Sequence, residues 1–386
     1  MSGTLDHVMK VATRPPVVMV EGAGSWLRDS EGRTYLDFVQ GWAVNCLGHS
    51  HPVMVEAIRT QAARLINCSP AYYNERMARL ATLIAECTGL DHVFLCNSGA
   101  EANEGAIKLA RKWGQLHGGG AFEIVTTHGS FHGRTLATMS ASGKAAFERL
   151  YEPKVPGFRK VPLNDLAAMA AAITDRTVAV MLEPIQGEAG VVPTTDAYLR
   201  AVRDLTRERG VLLILDEIQT GVGRTGRFCA FEHAGVRPDI LTLGKGLGGG
   251  VPLAALVASV HASCFQPGDQ GGTFNGSPLM AAVGCAVVEI VRAPAFLAGV
   301  RATGDYLAER LRALSAELGH GEVRGRGLLL ALALNRGEAQ KVVDTALERG
   351  LLINAPRPDT LRFMPALTVT RDEVDRMLAL LESCLA

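Results

Sequence analysis

The chain has 386 residues, and its 39 Lys plus Arg balance 39 Asp plus Glu to a formal net charge of zero. That balance excludes a protein that grips nucleic acid by massed phosphate neutralisation. Hydrophobic residues make up 48% and charged residues 20%, enough apolar content for a large core and too much for intrinsic disorder.

The opening residues, MSGTLDHVMK, hold no basic segment followed by an apolar run, so no secretory leader is expected. The first fifty residues are rich in turn formers (Pro15, Pro16, Gly22, Gly24, Gly32) and too short to fold alone. They are assigned to a small domain or to a dimer contact. Residues 93–96 (VFLC) read as a buried strand. Ala102, Ala106, Leu109, Ala110 and Trp113 then fall on one helical face, and Ser98 with Glu101 forms a capping-box pattern at its entry. A second unit runs from the strand 178–182 through a helix at 195–209, with Tyr198, Val202 and Leu205 as its stripe, to the strand 211–215. Continuous apolar strands joined by helices imply parallel pairing with both sheet faces covered. A further strand at 240–243 stops just before Lys245. The longest stretch free of Asp, Glu, Lys and Arg, 246–268, is broken by glycines and two prolines and is too short in its apolar part to span a bilayer.

Near residue 290 the texture changes. Helical patterns at 305–318, 338–349 and 371–384 alternate with apolar runs at 328–334, 351–353 and 361–364. The expected organisation is therefore an α/β large domain over 51–289 and a smaller α+β domain over 290–386, to which residues 1–50 belong. The eight cysteines contain no C-x-x-C pair, which suits free thiols in a reducing cytosol better than a disulfide scaffold or a zinc site. His49 with His51, and His128 with His132, have ligand-like spacing but no converging set, so no metal is expected and these histidines are read as ordinary.

One pattern is deceptive. GVGRTG at 221–226 matches a dinucleotide fingerprint, but no helix of useful length opens at its third glycine, so a nicotinamide dehydrogenase is rejected. The strand ends carry more. In open α/β sheets ligands collect at the carboxyl ends of the strands. Those ends supply Ser98, Gly99 and Ala100, then Glu183, Asp216 and Lys245. The first three are either a plain helix cap or an anion cradle of free N–H groups. Asp216 is either a structural cap or a partner for a cationic ring nitrogen. Lys245, flanked by glycine and apolar residues, is either a surface lysine or a buried amine that loses its proton easily. Together they offer a phosphate cradle, a carboxylate and an amine, which are the three needs of pyridoxal 5'-phosphate.

Several long motifs then occur in order: YLDF at 35–38, AVN at 43–45, GHSHP at 48–52, NSGAEAN at 97–103, SFHGRTL at 130–136, EPIQGE at 183–188, DEIQTGVGRTG at 216–226 and LRF at 361–363. Over nearly its whole length the chain resembles the class III, fold-type I pyridoxal-phosphate aminotransferases, and within them the acetylornithine branch. The resemblance implies a homodimeric cytoplasmic enzyme that moves the terminal amino group of N-acetylornithine to 2-oxoglutarate in arginine biosynthesis. Enzymes for ornithine, succinylornithine, succinyl-diaminopimelate and 4-aminobutyrate share this machinery. A non-catalytic cofactor-binding protein is a further alternative, which the intact Lys245, Asp216 and Arg134 oppose.

The resemblance also assigns roles. Lys245 would bond the cofactor and shuttle the proton, and Asp216 would keep the ring nitrogen protonated. Phe131 and Ile218 would sandwich the ring, and Gln219 would reach its phenolic oxygen. Ser98, Gly99 and Ala100 would hold the phosphate, joined by Thr273 from the partner subunit. Arg134 would grip one substrate carboxylate and Arg362 the α-carboxylate of glutamate. Glu188 would pair with Arg362 and mask it during the first half-reaction. Ala12, Trp42 and Gly272 depart from the family pattern around the substrate, Gly272 standing where a hydroxyl residue is common beside the phosphate-binding threonine.

Overall fold

Five strands in which every residue is buried form the middle of a seven-stranded sheet: Glu123–Thr127, Thr177–Leu182, Leu212–Asp216, Ile240–Leu243 and Ala254–Ala258. His92–Cys96 and Phe158–Val161 are its edges. Continuous Val, Leu and Ile with no polar alternation is what a sheet covered on both faces requires. The computed structural model describes residues 7–385; residues 1–6, part of the segment searched above for a leader, and Ala386 lie outside the described residues.

The pairings are parallel except around Ala254–Ala258, which runs antiparallel to Ile240–Leu243 and to His92–Cys96. This strand lies in the uncharged stretch that the sequence reading left without an element. Only ten residues, 244–253, separate it from its neighbour, too few for a helical crossover, so the chain turns back beside itself. The helix Gly99–His117 runs about one turn beyond the end of its predicted stripe at Trp113. Its cap is the expected Ser98, whose Oγ accepts the Glu101 N–H at 3.2 Å, but Glu101 reaches back to the Asn97 N–H rather than to Ser98 itself.

After residue 290 a second sheet of four antiparallel strands appears, in the order Val323–Arg326, Leu329–Ala333, Thr360–Phe363 and Asn354–Arg357. The helices Pro294–Leu318 and Ala339–Glu348 pack on it, and Arg371–Leu385 packs on those two helices. The first of these starts eleven residues before its predicted bound, because its early Ala and Gly residues carry no stripe while Pro294 suits a first helical turn. Three N-terminal strands, Met19–Ala23, Trp26–Asp29 and Thr34–Asp37, extend into a sheet completed by Leu351–Leu352 from the far end of the chain. Among the described residues no single helix is long and apolar enough to cross a membrane.

Candidate active site

A cavity of about 280 Å³ opens at the carboxyl ends of the parallel strands, lined by residues from five separate chain segments. Asp216 ends its strand at the cavity floor and is buried. Its Oδ2 accepts from Asn103 Nδ2 at 2.8 Å and from His132 Nδ1 at 2.8 Å, and its Oδ1 accepts the Ile218 N–H at 3.1 Å. Asn103 is itself held by Thr242 Oγ1, which donates to Asn103 Oδ1 at 2.8 Å. A carboxylate with this many donors stays where it is put, aimed at whatever cationic atom enters the cavity.

Lys245 follows the Ile240–Leu243 strand and has φ of 44°, a conformation that a side chain with a Cβ rarely adopts. Burial depresses its ammonium below the ordinary lysine range, with the Arg362 charge adding to the effect against the pull of Glu188, Asp216 and Glu183. A lysine so placed surrenders its proton readily and becomes a nucleophilic amine. Gly99 and Ala100 bring the first N–H groups of their helix to the cavity. A Cβ on Gly99 would stand 2.7 Å from Ile218 Cδ1, so only glycine lets the helix start close against the side chain that forms one wall. Phe131 lines the same cavity, and its N–H is fixed by Glu183 Oε1 at 2.8 Å. Burial, reinforced by the nearby Asp216 charge, pushes the Glu183 carboxyl well above its usual range.

At the outer part of the cavity Glu188 Oε1 accepts from Arg362 Nη1 at 2.7 Å. The Arg362 side chain is only 1% exposed and also donates through Nε to Asn354 Oδ1 at 3.2 Å. Burial works against the Glu188 charge, but Arg362 outweighs it and holds the carboxyl below its usual range. Removing one member of a buried ion pair typically costs about 3–5 kcal/mol, because the other charge stays behind unpaired. Arg134 lines the same cavity, is exposed, and stands 5.9 Å from the Phe147 ring centroid. Cationic donors, an amine and an anion cradle thus share one space.

Most of the residues singled out in the sequence come together here: Gly99, Ala100, Phe131, Arg134, Glu188, Asp216, Ile218, Gln219 and Lys245 all line the cavity, and Arg362 pairs with Glu188 at its edge. Ser98 caps the helix rather than facing the cavity. Gly272 and Thr273 lie in a neighbouring cleft with Asn97, Glu101 and Lys108, so this chain does not bring them to its own Lys245. Ala12 is exposed and outside the cavity, and Trp42 is 56% exposed. His132 corrects the reading of it as an ordinary histidine, since it is fully buried and bonds Asp216. Asn103 and Glu183 were quoted in motifs without a role. The available signal was a polar side chain beside the apolar stripe, Asn103 three and four residues before Ala106 and Ile107, and Glu183 after the apolar run 178–182.

The cavity fits pyridoxal phosphate on its own features. An anion cradle at a helix start, a donor-fixed carboxylate and an amine with a depressed pKa share one cavity with the apolar side chains of Ile218 and Phe131. Gln219 Oε1 is buried without a partner among the described residues, a polar end waiting beside them. The sequence profile described as Aminotransferase class-III matches residues 8–385. The acetylornithine aminotransferase of Ralstonia nicotianae is 56% identical over 99% of this chain and 97% of its own length. An N-acetylornithine aminotransferase structure from Stenotrophomonas maltophilia superposes with a TM-score of 0.87 at 36% identity, covering 100% of this chain and 98% of that one. The ornithine aminotransferase of Toxoplasma gondii, solved with partial occupancy of PLP at its active site, gives a TM-score of 0.94 at 33% identity over 100% of this chain and 93% of that one.

Proposed function

Because this chain belongs to the class III aminotransferases, we propose that it transfers the terminal amino group of N-acetylornithine to 2-oxoglutarate. The products are N-acetylglutamate 5-semialdehyde and glutamate, a step in arginine biosynthesis. The cofactor is pyridoxal 5'-phosphate, and the chemistry it supplies when bound is an aldehyde that accepts the amino group and a ring that draws electrons from the neighbouring C–H bond.

The chain's own residues do the rest. Gly99 and Ala100 N–H groups bind the phosphate, with Ser98 ordering the helix that presents them. Asp216 holds a proton on the ring nitrogen, and Asn103 and His132 keep Asp216 in place. Ile218 and Phe131 hold the ring between them, and Gln219 lies within the same lining for its oxygen. Lys245 Nζ would hold the cofactor at rest and, once free as an amine, would take the proton from the carbon that bears the donor's amino group. Arg134 at the mouth takes the donor's distant carboxylate, since its planar fork pairs with both oxygens. Arg362, buried and paired with Glu188, takes the α-carboxylate of glutamate or 2-oxoglutarate.

The observation that carries this reading is the Glu188–Arg362 pair at 2.7 Å beside Lys245. Left free, Arg362 would seize the carboxylate of an ω-amine donor and set the wrong carbon over Lys245. Glu188 masks it while the donor reacts and yields to glutamate. Thr273, remote from this chain's own cavity, supports a homodimer in which each subunit completes its partner's phosphate site; Gly272 beside it would then meet the partner's substrate. The two-domain division at about residue 290 and a cytoplasmic location belong to the same reading. A steady-state panel of ω-amino donors with 2-oxoglutarate tests it. N-acetylornithine should give the highest kcat/KM, and a tenfold preference for free ornithine, succinylornithine or 4-aminobutyrate would reject the substrate.

A further inference from the structure

We propose that Lys144 is a positioning residue for the glutamate half-reaction, the rim cation that takes the Glu188 carboxylate when Arg362 releases it. The inference rests on Glu188 acting as the mask of Arg362. It starts from a carboxylate lying between two cations of different character. Glu188 Oε1 is 2.7 Å from Arg362 Nη1, while Glu188 Oε2 is 3.9 Å from Lys144 Nζ. The Arg362 side chain is 1% exposed and the Lys144 side chain 36%. The first contact is tight and buried, and the second is loose and at the rim.

The fold holds Lys144 at this spot. The preceding Gly143 donates its N–H to Ser130, to the carbonyl at 3.1 Å and to Oγ at 3.0 Å, and its carbonyl accepts the Gly129 N–H at 3.0 Å. A Cβ at Gly143 would stand 2.1 Å from the Thr127 carbonyl oxygen, so the backbone here is pressed against a strand end of the large sheet. Lys144 is thereby held beside the Gly129–Ser130 turn that leads into Phe131. Its ammonium stands 5.9 Å from the Phe131 ring centroid and 5.7 Å from that of Phe147, two rings 5.9 Å apart and tilted by 50°. Aromatic faces attract an ammonium without neutralising it, so the charge is located yet free to take an anion.

The chemistry needs such a residue. For glutamate to reach Arg362, Glu188 must give up its best partner without leaving the protein's interior. A half-buried carboxylate stripped of its cation is unfavourable unless another replaces it. Closing the gap from 3.9 Å to an ordinary charge-assisted contact of about 2.8 Å needs a movement of roughly 1 Å. The contact is weak while the mask is on and strong once it is off. Only that difference can favour the open state, because a partner that binds both states equally shifts nothing. Arg362 keeps Asn354 throughout, so neither end of the exchange is left without a partner.

Stopped-flow measurement of both half-reactions in the holoenzyme tests this, using Lys144→Met, Lys144→Arg, Glu188→Ala and the Lys144→Met/Glu188→Ala double variant. Lys144→Met should lower the second-order rate constant for glutamate roughly fivefold, the scale of a partly exposed ion pair, and change that for N-acetylornithine by less than about twofold. Lys144→Arg should restore the glutamate rate. In the Glu188→Ala background, loss of Lys144 should change neither half. A larger loss with N-acetylornithine would overturn the proposal by making Lys144 a second anchor for the donor's carboxylate beside Arg134. An equal loss in both halves, or the same glutamate loss with and without Glu188, would also overturn it. If Glu188→Ala alone affects both halves in equal proportion, the mask itself falls, a result distinct from failure of Lys144 with the mask intact.

Discussion

The floor and the rim of the cavity are built on opposite plans. At the floor, Asp216 is buried beneath three hydrogen-bond donors, and Asn103 and His132 are buried with it. At the rim, Arg134 is exposed, Lys144 is over one-third exposed, and Glu188 touches two cations at unequal distances. Asp216 ends a strand whose every residue is buried and Asn103 lies on the helix Gly99–His117, while Arg134 and Glu188 sit on loops between elements and Lys144 follows the short helix Leu136–Ala141. Chemistry that needs a fixed charge is on rigid strand ends, and recognition that must accept two different substrates is on side chains with room to move. Substitutions at the floor should therefore lower the rate of both half-reactions together, whereas substitutions at the rim should separate them.

The largest effect belongs to Lys245. Lys245→Ala removes the amine that moves the proton, and turnover should fall roughly 10⁴-fold. The protein should still take up pyridoxal phosphate, because the helix start and Asp216 remain. Steady-state turnover above about one-hundredth of wild type would show that the proton travels by another route. Next comes the support beneath the floor. His132→Leu takes one donor from Asp216 without adding bulk at the surface, and both half-reactions should slow roughly tenfold with little change in KM. Single-turnover rates equal to wild type would reduce His132 to packing.

The same division marks what could be read in the sequence. Floor residues on regular elements were legible: an apolar run ending at Asp216 and a helical stripe entered through Ser98 need only periodicity. The strand Ala254–Ala258 was not, because alanines make up most of it and its second antiparallel neighbour, His92–Cys96, lies far along the chain. The turn at Gln40–Ala43 was equally hidden. Gln40, Gly41, Trp42 and Ala43 have φ of 48°, 62°, 63° and 64°, one turn of left-handed helix. Such a turn costs about 1–2 kcal/mol for each residue other than glycine. Asp37 compensates by accepting the Val39 and Gln40 N–H groups while bonding His49 Nε2 at 2.8 Å. No local propensity announces a conformation that propensity disfavours. Lys144 escaped for a related reason, since a lone lysine gains meaning only once Glu188 is folded against it.

At the rim, Arg134→Lys should raise KM for N-acetylornithine roughly tenfold and leave kcat near wild type. An ammonium cannot match the two-point grip of a guanidinium on a carboxylate, yet the reacting end of the donor stays at Lys245. The glutamate half-reaction, for which the proposed anchor is Arg362, should be almost untouched. A loss shared by both halves would break the contrast between floor and rim.

The smallest effect concerns stability and pH. In the folded protein the Glu188 carboxyl lies below its ordinary value of 4.5, since Arg362 outweighs burial. A carboxyl depressed by folding contributes stability that is fully present above its unfolded pKa and is lost as pH falls through the folded one. Glu188→Gln should therefore lower Tm at neutral pH, and the deficit should stay level down to about pH 5 and shrink below pH 4.5. The pair is buried on the arginine side but 22% exposed on the glutamate side, so its contribution is put at about 1–3 kcal/mol, below the fully buried range. Two neighbours titrate in other windows. Lys245 is depressed from 10.5, so its effect on stability falls on the alkaline side. Glu183 is raised, so whatever it contributes is lost as pH rises rather than as it falls. Both feel the Glu188 charge, which raises each of them, so its removal lowers both, and the shrinking of the deficit below pH 4.5 is read against that background. Thermal unfolding of the cofactor-free proteins from pH 4 to pH 8 checks the curve. A deficit that grows toward acid pH would mean that Glu188 carries its proton in the folded state and that Arg362 is held by something else.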